Sequence, residues 1–177
     1  PSCCARIGSK GNMTHPKDFE WFSVYIAFGR AACDAQLLEK TLVSLCSLLK
    51  LGGATINGTM YNQILDHFNK RTLGQLEHEV RKLAPPEMSI AFEWLPDALK
   101  QRNFLNHDFF WEYALLLESE SGRRHAIEKL EEMALRFRTA EEAASLMVNI
   151  LHSKLGITQE ALQNAARALI DEGRNVH

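Results

Sequence analysis

AQLLEKTLVSLCSLLKLGG, residues 35–53, decides the fold class. Leu38, Thr41, Leu42, Leu45 and Leu49 recur at spacings of three and four. That is the period of one face of an α-helix, not the alternation of a strand. Reading backwards, the pattern extends to Asp18, so Asp18 to Leu51 is expected to form one long helix with Gly29 as a tolerated weak point. Gly52-Gly53 ends it, because glycine accepts the left-handed geometry of a helix C-cap.

The same period runs through the rest of the chain. NGTMYNQILDHF (57–68) restarts a helix with Thr59 as N-cap, and TLGQLEHEVRKL (72–83) starts another capped by Thr72, with Leu76, Val80 and Leu83 on one side. Pro85-Pro86 breaks the chain, and a further helix begins near Glu87. Pro96 either kinks that helix or opens the next, which carries Asp97 to about Leu117. SESGRRHAIEKLEEMALRF (119–137) points Ile127, Leu130, Ala134 and Phe137 inward. Thr139 and Glu142 have the spacing of a capping box, so a new helix is expected there, and Thr158 caps a last one ending at Gly173. No strand-type alternation of useful length is present. The expected fold is all-α: a bundle with long antiparallel helices over 17–120 and additional C-terminal helices, a hairpin or arm, packed on it over 121–177. Residues 1–16 read as a flexible leader, with Met13 as a natural start and residues 1–12 as partly foreign.

Composition narrows the function. The 177 residues are 46% hydrophobic and 24% charged, the balance of a globular domain able to bury a core. A net charge of −2 gives no basic excess for gripping long nucleic acid, so any such contact must be local. No apolar run reaches the roughly 20 residues of a membrane span, and the N-terminal stretch lacks the apolar middle of a secretion signal. Cys3, Cys4, Cys33 and Cys46 contain no C-x-x-C pair, and a reducing cytoplasm is the expected compartment. Gly8-Ser9 and Gly52-Gly53 lack the Lys-Ser/Thr of a phosphate-binding loop, and no cofactor is expected.

One stretch carries chemistry. KQRNFLNHDFF (100–110) holds Arg102, Asn103 and His107 in the pattern R-N-x-x-x-H, followed by Phe109 and Phe110. A histidine with an ordinary pKa of about 6.5 takes or gives a proton at neutral pH. An arginine supplies a permanent charge in a planar fork that matches phosphate oxygens. Together they suffice to deprotonate a 2′-hydroxyl, stabilise an anionic phosphorane and protonate a leaving oxygen, with no metal. Yet at 100° per residue Arg102 and His107 are about 140° apart on an ideal helix, whereas Asn103 and His107 share a face. The arginine must reach around, or the helix must be irregular, or two chains must combine their motifs.

The motif resembles the signature of the HEPN family (higher eukaryotes and prokaryotes nucleotide-binding domains), an Arg followed after four to six residues by His. FGRAACDAQLLEKTLVSLCSLL, TLGQLEHEVRKL, GRRHAIEKLEEM and LGITQEAL are similar to successive blocks of uncharacterised bacterial HEPN-like proteins, over roughly residues 28–162. The resemblance implies a homodimer whose motifs meet at a twofold axis, and a metal-independent endoribonuclease of toxin or defence type acting on RNA. In it His107 is the general acid/base, Arg102 the phosphate anchor and Asn103 the orienting residue. Glu39 is a candidate partner for Arg102, and Arg123 and Arg124 are candidate supporting contacts to RNA phosphate. No nucleotidyltransferase-like Gly-Ser with a following Asp-x-Asp is present, so an antitoxin would be a separate chain.

Two other readings stand beside it. The same surface serves a non-catalytic module that binds a nucleotide, RNA or a partner protein. Alternatively His107-Asp108, with His78 upstream and Asp171 downstream, spells the ligand types of an HD-type metal phosphohydrolase at loose spacing. Phe109, Phe110 and Trp111 read as core or interface aromatics, since three adjacent helical residues point in three directions.

Overall fold

In the computed structural model, residues 16–52, 58–86, 88, 92–158, 160, 163, 164 and 167 are described. Residues 1–15 of the expected leader, the start near Glu87 and most of the helix expected after Thr158 lie outside them, while Pro16, expected in the leader, opens a helix. Every regular element among the described residues is helical: α1 (Pro16–Leu51), α2 (Gly58–Asn69), α3 (Leu73–Leu83), α4 (Leu95–Asn103), a π turn (Phe104–Asp108), α5 (Phe109–Glu112), a 3₁₀ turn (Leu116–Glu118) and α6 (Glu120–Lys154). No helix among them is long and apolar enough to cross a membrane.

α1 and α6 dominate. At 36 and 35 residues they extend about 54 and 52 Å at 1.5 Å per residue. Their shared face is built from small residues, Ala27, Ala31 and Ala35 on α1 and Ala134, Ala140 and Ala144 on α6, which let the backbones approach closely. Larger buried side chains of the same two helices (Leu38, Leu42, Leu130, Met133, Phe137) belong to the one core cluster. Polar ties run along it: Arg123 to Glu20 at 2.5 Å, Arg138 to Asp34 at 3.4 Å, and Thr41 Oγ1 donating to Glu141 at 2.9 Å. Going up α1 through 20, 34 and 41, the partners go up α6 through 123, 138 and 141. The two longest helices are therefore parallel, a correction to the antiparallel arrangement expected. The antiparallel run is α4 through α5, which meets α1 in descending order: Arg102 pairs with Glu39, and Phe110 lies 4.8 Å from Phe28, ring centre to ring centre.

Local signals explain the boundaries, with two exceptions. Gly52 follows α1 with φ 55°, and Thr72 closes a complete capping box with Gln75. Pro96 lies in the first turn of α4, where its missing N–H costs nothing. Thr59 lies just inside α2 rather than capping it. Thr139 begins no helix: α6 runs straight through, and the Thr139 hydroxyl donates back to the Leu135 carbonyl at 3.0 Å. Burial of Phe137, Ala140 and Ala144 keeps one apolar stripe facing α1 across the would-be break, so packing overrides the capping signal. Residues 120–154 form one helix, not a hairpin.

Candidate functional site

Leu95, Ala98, Leu105 and Phe109 are buried at spacings of three, seven and four, and the missing position of that stripe is Arg102. An arginine in a core-facing register needs a carboxylate. Glu39 of α1 supplies it, with Arg102 Nη2 donating to Oε2 at 3.4 Å, both side chains about a quarter exposed (25% and 27%). Arg102 Nη1 also donates to Oδ1 of Asn103 at 3.4 Å. A guanidinium has five N–H donors, so these two long bonds leave donors for an incoming anion.

The chain then departs from α geometry. Phe109 N–H donates to the Phe104 carbonyl, five residues back, which makes Phe104–Asp108 a π turn. Such single turns accommodate one extra residue and recur at functional sites. The motif histidine sits within it.

Burial and cavity lining separate the motif into two faces. Arg102 and Asn106, four apart, line an open cavity of about 450 Å³ against α1 together with Cys33, Gln36, Glu39 and Lys40. Asn103 and His107, also four apart, are exposed and are not among its lining residues. In one chain, then, Arg102 faces the cavity while His107 faces outward. Trp111, four residues beyond His107, is 85% exposed, and Phe110 and Leu115 are exposed as well. The ring of Tyr25 lies 6.2 Å from that of Phe110, and Tyr25 is exposed on α1 along with Phe22 and Ile26. Phe109 alone of the aromatic triplet is fully buried, stacked 4.7 Å from Tyr113.

Arg123 and Arg124 are elsewhere. Arg123 is 5% exposed; Nε and Nη2 donate to Glu20 at 2.9 and 2.5 Å, Nη1 donates to the Leu117 carbonyl at 2.8 Å, and its guanidinium carbon lies 5.9 Å from the Trp21 ring centre. All three of its nitrogens are engaged, and it ties α1, the 3₁₀ turn and α6 together. Glu20 and Glu39 are nineteen residues apart on α1, about 28 Å along the axis. The two arginines they hold therefore do not converge. Arg124 is exposed and pairs with Glu120 one turn back.

The residues that sequence reading passed over are Lys40 and Asn106. Asn106 had a signal, the i, i+4 relation to Arg102. Lys40 had none, because its place beside the cavity depends on how α1 meets α4. Among the described residues no three His, Cys, Asp or Glu side chains come together as a metal site, and Asp171 of the metal reading lies outside them. Comparison with protein families, with curated proteins and with solved structures finds no match to this chain.

Proposed function

We propose that the chain is a HEPN-like, metal-independent endoribonuclease of toxin or defence type, acting as a homodimer on RNA in the cytoplasm. The observation that carries the proposal is the placement of Arg102: a guanidinium paired with Glu39 and in reach of Asn103, lining an open cavity and followed by a π turn that holds an exposed histidine. In this reading the 2′-hydroxyl gives its proton to a base and its oxygen bonds to phosphorus. The bond from phosphorus to the 5′-oxygen breaks, and the departing oxygen takes a proton. His107 performs one or both proton transfers, and Arg102 stabilises the charge on the phosphorane. Because His107 and Arg102 look in different directions within one chain, the working pair is formed between copies, through the apolar patch beside His107. An antitoxin or regulator is a separate chain.

The divided faces also favour a second reading, in which the cavity binds a nucleotide or partner and no bond is cut. One experiment separates the two. RNA is incubated with wild type, His107→Ala, Arg102→Ala and Arg102→Lys, with and without EDTA, each fold being checked by circular dichroism. Cleavage is expected to resist EDTA and leave 2′,3′-cyclic phosphate ends. His107→Ala is expected to lower it by about 10² to 10⁴, and Arg102→Lys to fail because a point charge cannot replace a bidentate fork. A broad panel of RNAs left intact by the wild type supports the binding reading, and equal cleavage by all variants overturns the site.

A further inference from the structure

α6 carries a second apolar stripe. Leu135, Thr139, Ala143, Leu146 and Ile150 recur at spacings of three and four, on a different face from Phe137, Ala140 and Ala144. Leu135, Leu146 and Ile150 are 58%, 62% and 44% exposed. Leu135, Thr139 and Ala143, with Trp94, Asp97 and Ala98 at the start of α4, line an open cavity of about 350 Å³. The Asp97–Arg136 ion pair, at 2.9 Å, ties the two helices together there. The stripe then continues past the cavity to Ile150, one turn before α6 ends.

The end of α6 turns the chain off the helix axis. Gly156 has φ 69°, its N–H donates to the Ser153 carbonyl at 3.2 Å, and the Ile157 N–H donates to that of His152 at 2.9 Å. These are the two bonds of a Schellman motif. Beyond it Glu160, Gln163, Asn164 and Arg167 are helical and exposed. All four are polar, and their spacings of three and four put them on one face. In the sequence the opposite register holds Leu162, Ala165, Ala166, Leu169 and Ile170, the i, i+3, i+4, i+7, i+8 pattern of an apolar face.

We propose that residues 159–173 fold back on α6 as an antiparallel helix and cover this stripe, with Leu169 and Ile170 closing the open side of the cavity beside Trp94. The lengths agree: 159–173 and 139–153 are 15 residues each, about 22 Å of helix at 1.5 Å per residue. A hairpin centred on Gly156 sets Leu162 against Ile150, Ala166 against Leu146 and Leu169 against Ala143. The last two pairs match a large side chain with a small one, as interdigitated packing requires. This docking uses neither Arg102 nor His107, so it stands or falls apart from the ribonuclease reading.

Hydrogen–deuterium exchange of the full chain, read on peptides over 159–173 at two protein concentrations, tests the docking. An isolated helix of this length is marginal in water and gives its amides little protection. In wild type the amides of 162–170 are expected to exchange slowly, at a rate unchanged by dilution. Leu146→Asp, Ile150→Asp and, on the segment itself, Ala166→Asp are each expected to speed that exchange by about tenfold or more, the scale of losing one buried leucine. The amides of α1 are expected to stay protected, and Leu146→Met to keep the wild-type rate. Ala166→Asp leaves α6 unaltered, so it decides the matter where an α6 variant loosens the whole fold. Amides of 162–170 that exchange freely in wild type, or stay protected in all three variants, overturn the proposal. Protection that disappears on dilution also overturns it, because a second copy of the chain then covers the stripe.

Discussion

At Gly122 a methyl group has nowhere to go. A Cβ there would overlap the Leu116 carbonyl oxygen and stand 2.5 Å from its carbon, both backbone atoms of the 3₁₀ turn. Relief requires α6 to move away from the turn, and the next residue, Arg123, would lose its reach to Leu117 and Glu20. Gly122→Ala is expected to destabilise the fold by about 3 kcal/mol, the upper part of the overpacking range. Gly29 is the opposite case, since a Cβ there would meet nothing within 4 Å. Gly29→Ala is expected to stabilise by roughly 0.5–1 kcal/mol through helix propensity. Urea unfolding of the two variants checks both signs. Gly29 was readable from sequence, since a glycine inside an apolar-periodic run is a weak point wherever it packs. Gly122 was not, because its constraint comes from a turn that no periodicity marks. The same limit applies at Arg102: its register between Ala98 and Leu105 could be counted from the sequence, but the cavity beside it could not.

At the scale of elements, the helices were legible and their continuity was not. Spacing of apolar residues located α1 and α3 closely and read Pro96 as one of two possibilities. It placed a false start at Thr139 and gave no sign of the π turn, because one inserted residue leaves the three-and-four pattern nearly intact on either side. The end of α6 makes a prediction of its own. His152 accepts N–H bonds from Leu155 and Ile157 at its carbonyl, while its ring Nδ1 is buried without a partner among the described residues. Desolvation holds its pKa below the usual histidine value. As pH falls through about 6.5 the unfolded chain takes up this proton before the folded one does, so stability declines until the folded pKa is passed; above that window it is flat. The thermal midpoint is expected to fall between about pH 7.5 and pH 5.5, and His152→Leu to flatten that slope. An unchanged slope would assign the acid response to other groups.

For the whole molecule, Phe22, Tyr25, Ile26, Phe110, Trp111 and Leu115 are all exposed, Tyr25 and Phe110 are ring neighbours across α1 and α5, and Trp111 follows His107 by four residues. Light scattering of the wild type is expected to give twice the chain mass, and Trp111→Glu combined with Leu115→Glu to give one chain mass with unchanged circular dichroism. A wild type that stays monomeric at high concentration removes the composite site. The all-α class was legible because every segment repeats one period. The parallel course of α1 and α6 was not, since it depends on which of several apolar stripes meet, and stripes carry no direction.

That parallel pair gives α1 the role of a measuring rod. Glu20 receives the arginine that locks the fold, and Glu39 receives the one that faces the cavity, on a single uninterrupted helix. Adding or removing one residue between them would turn one carboxylate by about 100° relative to the other and shift it by about 1.5 Å. One of the two arginines would then be left facing no counter-charge. Over these nineteen steps α1 can change the kind of its exposed residues freely, but not their number.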